Sequence, residues 1–159
     1  MKNGIVVAIL IRSKAGEEMQ SLPEVRAIAG AGLEGDAYCD GNGSFNKKSG
    51  VGNRQVTLIN ERFFLGSGFS FVESRRNIVV RRFELIRCIG QEFRIGNALF
   101  RGRPGSKGYC EPCDRPSNLS KNERSFEEAF EDCGGLIVEV IKGGLIRVGD
   151  QIIPPPKNY

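Results

Sequence analysis

Glycine divides this chain into short apolar segments, and that pattern restricts the fold more than any other feature of the sequence. The 159 residues include 21 glycines. Short apolar runs separated by turn residues are typical of an all-β barrel or sandwich rather than of a wound α/β sheet. The sequence predicts strands at residues 5–12, 24–29, 55–59, 77–80, 92–95, 98–101, 136–141, 145–148 and 151–153. We therefore expect a mainly β fold, a closed or partly open β-barrel with a few short helices packed on it.

Capping residues predict where the short helices begin. Asn60 can cap a turn over residues 61–65, and Ser125 with Glu128 matches a capping box that opens a helix to about Asp132. Residues 41–52 are polar, rich in glycine and without periodicity, which is typical of a mobile loop and makes them a candidate lid. The length suits a single domain over residues 1–159.

Composition excludes several classes of protein. No apolar run approaches the roughly 20 residues that span a bilayer, and no signal peptide is recognisable, so we expect a cytoplasmic protein with no membrane partner. The five cysteines are irregularly spaced and odd in number, which favours reduced thiols. Histidine is absent, so no Cys–His or Ser–His couple can exist, and a metal site needs thiolate, carboxylate, carbonyl or external ligands.

Positive charge is concentrated in one part of the sequence. Residues 75–107 contain nine basic and two acidic residues, a local balance of +7 in a chain whose net charge is +4. One interpretation is a solvated strand surface, and the other is a pocket for a compact anionic, phosphate-bearing ligand. Nucleic acid is disfavoured as a partner because no aromatic interleaving or reader motif accompanies the charge.

The segment Cys110-Glu111-Pro112-Cys113 places two thiols where they can converge on one metal, on one sulfur atom or on each other. A structural zinc site is one alternative, and it would recruit Cys39 and Cys133. A thioredoxin-like redox pair is disfavoured because no βαβ pattern precedes the motif. Cys88 lies among apolar residues and is predicted to be a buried core thiol.

Several motifs, taken in order, resemble the MOSC domain, the C-terminal domain of molybdenum cofactor sulfurases. The resemblance runs from about residue 5 to residue 153. The matching segments are residues 32–37 (GLEGDA), 54–59 (RQVTLI) with Glu61, 76–78 (RNI), 89–98 (IGQEFRIGNA), 110–113 (CEPC), 134–135 (GG) and 143–150 (GGLIRVGD). Each segment alone is weak, and the ordered set is fairly specific.

The resemblance implies a compact β-barrel in which a late cysteine handles sulfur or ligates the molybdenum of a molybdopterin cofactor. Cys113 matches that cysteine, and Cys110 would assist it or resolve a persulfide. Polar and basic strand residues would hold the pterin and its phosphate, and the matching residues are Arg54, Thr57, Arg76 and Asn77. Asp36 has two interpretations, a turn that caps its own backbone or a carboxylate facing the ligand.

The resemblance leaves the activity open. Cys113 could accept a sulfane sulfur and pass it on, as in molybdenum cofactor sulfurases, or the domain could be a carrier without catalysis. Many small relatives carry a histidine after the Gly-Asp-Ala segment, where this chain has Tyr38 and Cys39. Pyridoxal phosphate is expected on a separate cysteine desulfurase rather than on this chain, and a desulfurase or a molybdoenzyme is the expected protein partner.

Overall fold

A computed structural model describes residues 4–14, 17–40, 54–110, 125–131 and 133–156. Within them the chain forms eleven strands: β1 (Gly4–Ile11), β2 (Gln20–Leu22), β3 (Glu24–Ile28), β4 (Gly32–Leu33), β5 (Val56–Asn60), β6 (Ile78–Arg81), β7 (Glu92–Ile95), β8 (Ala98–Gly102), β9 (Leu136–Lys142), β10 (Gly144–Arg147) and β11 (Gln151–Ile153). All nine predicted strands are present, with ends that differ by no more than one residue. The strands β2 and β4 were not predicted.

Seven of the strands close into a barrel. They follow the order β11-β7-β8-β9-β5-β6-β1, and β1 pairs back onto β11, with Gly4 opposite Ile152. The strand β2 extends this sheet from the second half of β1, and β10, β3 and β4 form a separate three-stranded sheet. The prediction of a mainly β, barrel-forming chain is therefore confirmed. Closure removes the unpaired edges that an open sheet of these strands would expose.

One end of the barrel collects the polar residues that the sequence singled out. The strands β5 and β6 are parallel, whereas β1 is antiparallel to β6, so β5 and β6 begin where β1 ends. Residues just before β5, just before β6 and just after β1 therefore lie at the same end of the barrel. That end carries Arg54, Arg76 and Asn77, together with Arg12.

Two apolar clusters hold the fold together. The first fills the barrel and includes Phe93, Phe100 and Ile78, each no more than 2% exposed. The second lies outside it and includes four buried phenylalanines, of which Phe126 and Phe130 are stacked at a centroid distance of 4.4 Å. Full burial of each such side chain contributes about 1.5–3 kcal/mol.

The helices are short and differ partly from the prediction. The turn after β5 is a 3-10 helix (Glu61–Phe64), but the side chain of Asn60 makes no capping hydrogen bond, so that prediction was wrong. The predicted capping residue Ser125 accepts from the Glu128 backbone N–H at 3.1 Å and opens the helix α2 (Phe126–Ala129), three residues shorter than expected. The helix α1 (Phe71–Ser74) was not predicted, although a capping box opens it.

Further 3-10 turns span Leu85–Cys88 and Gly105–Gly108. Among the described residues, none of the helices is long and apolar enough to cross a membrane. The predicted lid at residues 41–52 lies outside the described residues.

Candidate anion-binding site

Asn77 and Thr57 form the centre of a buried hydrogen-bond network at the barrel end. The side-chain Oδ1 of Asn77 accepts from the Thr57 backbone N–H at 3.0 Å and lies 3.2 Å from the Thr57 hydroxyl. The Asn77 amide Nδ2 donates to the Leu10 carbonyl at 3.1 Å. Asn77 therefore ties β1, β5 and β6 together where all three meet. Both side chains are nearly inaccessible, at 3% for Asn77 and 4% for Thr57.

Asp36 joins the same network from the segment after β4. Its Oδ1 accepts from the Arg12 backbone N–H at 3.1 Å and from Asn77 Nδ2 at 3.4 Å, and its Oδ2 accepts from the Tyr38 backbone N–H at 3.2 Å. The Tyr38 contact is the self-capping turn anticipated for this position. Asp36 as a whole residue is 1% exposed. Asp36 therefore caps its own turn and is also part of the buried network.

Gly32 allows this segment to approach β5. It has a φ of +137°, and a Cβ there would lie 2.7 Å from the Gln55 carbonyl oxygen. A larger residue would both strain the backbone and push β4 away from the start of β5. The glycine-rich motif before Asp36 is therefore needed for close backbone packing.

Burial raises the pKa of Asp36 above the 3.8 of an unperturbed carboxyl group, against the opposing effects of the Arg12 and Tyr38 backbone hydrogen bonds, the Arg12 charge and the Asn77 amide. Between pH 3.8 and the raised pKa, the folded protein binds more protons at Asp36 than the unfolded chain does. The free energy of unfolding therefore falls as the pH rises through this interval.

We expect urea unfolding to show that wild type loses stability relative to Asp36→Asn as the pH rises through that interval. The difference in free energy of unfolding should level off towards neutral pH. A difference that instead grew in favour of wild type would show that the pKa is depressed.

Arg54 and Cys110 come together at the site. The Arg54 Nη1 lies 4.0 Å from the Cys110 Sγ, within the range of a hydrogen bond to sulfur. Cys110 is 2% exposed, and its backbone N–H donates to the Gly135 carbonyl at 2.9 Å. The structure therefore places the first cysteine of the pair against a cation.

Arg76 lies next to this contact and is held by the protein itself. Its Nε donates to the Gly134 carbonyl at 2.7 Å, its Nη1 donates to the Ser74 carbonyl at 3.2 Å, and its guanidinium carbon lies 5.4 Å from the Phe126 ring centroid. The side chain is 4% exposed. Arg76 anchors the residue next to Gly135, whose carbonyl holds Cys110.

Two arginines that the sequence did not predict as site residues, Arg12 and Arg75, each have a buried guanidinium nitrogen without a hydrogen-bond partner among the described residues. Arg12 is 6% exposed, and its Nη1 has no hydrogen-bond partner among the described residues. The Nη2 of Arg75 is also buried and has no hydrogen-bond partner among the described residues. The Leu10 backbone N–H donates to the Asn77 carbonyl. Arg12 follows Leu10 by two residues and Arg75 precedes Asn77 by two residues, so both arginines lie at the same end of the barrel. Buried guanidinium nitrogens are costly unless paired, so this end of the barrel suits an anion.

The rest of the basic segment lies elsewhere. Arg81 pairs with Glu61 at 2.9 Å, and Arg101 and Arg103 approach Glu139 at 3.3 and 4.0 Å. These pairs lie in partly exposed positions on the barrel wall. Of the basic residues at 75–107, only Arg75 and Arg76 lie at the candidate site. The other basic residues lie at the solvated surface, as the first interpretation of the charge predicted.

The other cysteines have less reactive environments. Burial raises the pKa of the Cys88 thiol to about 12, which agrees with its prediction as a core residue. Burial, followed by the charges of Asp40, Asp36 and Glu34, raises the pKa of Cys39. In the described part of the chain, no group of three or more Cys, Asp or Glu side chains could hold a metal. Cys113 lies outside the described residues.

The family model for the MOSC domain matches residues 51–153, well over half of the chain. The chain belongs to the MOSC domain family. No curated protein sequence matches it. The MOSC barrel of this chain is similar to the crystal structure of YUAD protein from Bacillus subtilis, with a TM-score of 0.70, 15% identity and 94% coverage of both chains.

This MOSC domain also resembles two YiiM structures. The one from Geobacillus stearothermophilus has a TM-score of 0.66 and 12% identity, with 96% of this chain and 75% of that chain covered. The one from Escherichia coli has a TM-score of 0.60 and 16% identity, with 98% and 71% covered. At these identities the likeness shows the fold alone.

Proposed function

We propose that this MOSC domain binds a molybdopterin-type cofactor at the barrel end that carries Arg12, Arg54, Arg75 and Arg76. The observation that carries the proposal is the pair of buried, unpartnered guanidinium nitrogens of Arg12 and Arg75 within the described residues. Folding places these donors in a site with low exposure, where only an anion or an ordered polar ligand offsets the cost of their burial.

The donor set fits such a cofactor in three respects. Guanidinium groups bind phosphate through paired N–H donors, which suits the phosphate end. The Asn77, Thr57 and Asp36 network fixes the three strands that carry these arginines, so the cationic groups need little rearrangement on binding. A cysteine thiolate is a soft ligand suited to molybdenum.

Cys113 is the proposed thiolate, and Cys110 is the proposed assistant. Two residues separate them in the sequence, so their Cα atoms can be no more than about 11 Å apart in any conformation. Arg54 contacts Cys110, so it would stabilise an anionic sulfur species on that cysteine when sulfur passes between the two thiols. When bound, the cofactor would supply a molybdenum centre that can take up sulfur and change oxidation state.

The same site suits the transfer of sulfur. In that function a desulfurase partner carrying pyridoxal phosphate would deliver sulfane sulfur to the Cys113 thiolate, and a molybdoenzyme would receive the product. The protein residues would bind the anion, orient the thiolate and limit the access of water. Whether turnover occurs on this chain or on the partner is the difference between an enzyme and a carrier.

The proposal predicts that cofactor retention depends on Arg12 and Arg75, each of which has a buried guanidinium nitrogen. Purified protein would be incubated with cofactor released from a molybdoenzyme and passed through gel filtration, and the retained molybdenum and pterin would be measured. We expect Arg12→Met and Arg75→Met each to weaken retention about tenfold or more, because each removes charge-assisted hydrogen bonds.

Arg101→Met provides the matched control, because Arg101 is exposed and pairs with Glu139 on the barrel wall. It should retain the cofactor as wild type does. Equal retention by all three variants would rule out the barrel end as the binding site.

A further inference from the structure

A cavity of about 320 Å³ lies beside the segment that carries Cys110, with Tyr109 and Gly135 in its lining. It is lined on one side by Leu85, Ile89 and Leu136 and on the other by the polar residues Asn60, Arg62 and Glu84. None of these six residues belongs to the hydrogen-bond network of the anion site. The volume is at the lower end of the range for small-molecule pockets, which run from about 300 to 1,000 Å³. A ligand that fills it is therefore small.

The segment at residues 109–110 separates the two sites. Tyr109 is bridged to Leu136 in an antiparallel arrangement, and successive side chains of an extended segment point to opposite faces. The Cys110 thiol faces Arg54, whereas Tyr109 lines the cavity. A molecule in the cavity would therefore lie behind the wall that holds Cys110 and would not compete for the arginines.

Asn60 gives this cavity a polar group. Its side chain is 9% exposed and lines the cavity, and it makes no capping hydrogen bond to the 3-10 turn that follows. An amide in this position offers two donors and one acceptor oxygen. It can therefore hydrogen-bond a polar group of a molecule that enters the cavity.

Two exposed side chains of opposite charge, Arg62 and Glu84, also belong to the lining. The Arg62 guanidinium is held with its carbon 4.8 Å from the Phe63 ring centroid, and Glu84 precedes the 3-10 turn at Leu85–Cys88. Neither side chain forms an ion pair within the part of the chain that the structure describes. One cation and one anion on a small cavity match a zwitterion, whereas a simple anion or cation would satisfy only one of them.

The other side of the cavity is apolar. Leu85 and Leu136 are 4% and 2% exposed and form its base, and Ile86 stands beside it with 73% exposure. An exposed isoleucine beside a cavity supplies apolar surface that a ligand side chain can cover. The ligand should therefore combine a zwitterionic head with an aliphatic body.

We propose that this cavity binds a free α-amino acid with an aliphatic side chain. The carboxylate would contact Arg62 and the Asn60 amide, the ammonium group would contact Glu84, and the side chain would cover Leu85 and Leu136. The inference goes beyond cofactor binding and does not depend on it. The full chain is the sample for every measurement below.

The test uses leucine and two analogues, with binding followed by calorimetry and by the methyl resonances of Ile86 and Ile89. Wild type should bind leucine. Arg62→Gln should weaken leucine at least about tenfold yet leave leucinamide, which lacks the carboxylate, unchanged. Glu84→Gln should weaken leucine to a similar degree yet leave N-acetylleucine, which lacks the ammonium group, unchanged.

The control variant Arg101→Gln should bind leucine as wild type does. The proposal is overturned if wild type shows no binding up to about 10 mM leucine, or if Arg62→Gln and Glu84→Gln bind leucine with wild-type affinity. Both variants should retain molybdenum cofactor normally, so failure of this proposal can be distinguished from failure of the anion site.

Discussion

Alanine in place of Asn77 is expected to lower the free energy of unfolding by about 3–5 kcal/mol. The substitution leaves the buried Thr57 N–H and the Leu10 carbonyl without these partners, and it removes a side chain that bonds to both β1 and β5. Each unpaired buried group costs about 1–3 kcal/mol. Denaturant unfolding followed by circular dichroism measures the loss.

Asn97→Ala provides the control, because Asn97 lies exposed in the turn between β7 and β8. Its effect should stay within about 0.5 kcal/mol of zero. A loss below about 1 kcal/mol in Asn77→Ala would mean that the network does not hold the barrel end together.

Serine in place of Cys113 is expected to abolish loading with molybdenum cofactor or sulfane sulfur while the folded barrel remains. A hydroxyl group is a hard, poorly ionised oxygen that replaces neither a soft ligand nor a persulfide-forming thiolate. Elemental analysis would measure molybdenum, intact-protein mass spectrometry would measure added sulfur, and thermal unfolding would verify the fold.

Cys133→Ser is the matched comparison. Cys133 is half-buried, and the zinc alternative would require it. We expect Cys133→Ser to load as wild type does. Stoichiometric zinc that is lost in both cysteine variants would favour the structural zinc site over the cofactor site.

The sequence predicted the barrel strands well because local signals specify them. The turns at Gly96 and Gly149 have φ values of +55° and +93°, and each separates strands of alternating burial such as β7. The strand β4 has two residues and β2 has three, with no alternating apolar pattern, so no periodicity could reveal them. Their pairing depends on the strands beside them.

The candidate site was only partly predictable for a related reason. Recognisable sequence motifs contain Thr57, Asn77 and Asp36. In the structure, these three residues belong to one hydrogen-bond network. Arg12 carries no such signal, because it follows an apolar strand as any solvated arginine could. Arg12 is a candidate site residue because its Nη1 is buried without a hydrogen-bond partner among the described residues. That burial depends on how distant segments of the chain pack, which the local sequence does not reveal. The excess of arginine at residues 75–107 overstated the pocket, because Glu61 and Glu139 pair with three of those side chains.

A crystal structure of the cofactor-loaded protein, with anomalous scattering recorded at the molybdenum edge, is the decisive measurement. We predict one strong peak at the end of the barrel where β1 ends and β5 and β6 begin, bonded to the Cys113 sulfur and with phosphate density against Arg12 and Arg75. A peak bonded to another thiol, or one on the outer wall beside Arg101, would contradict the proposed site.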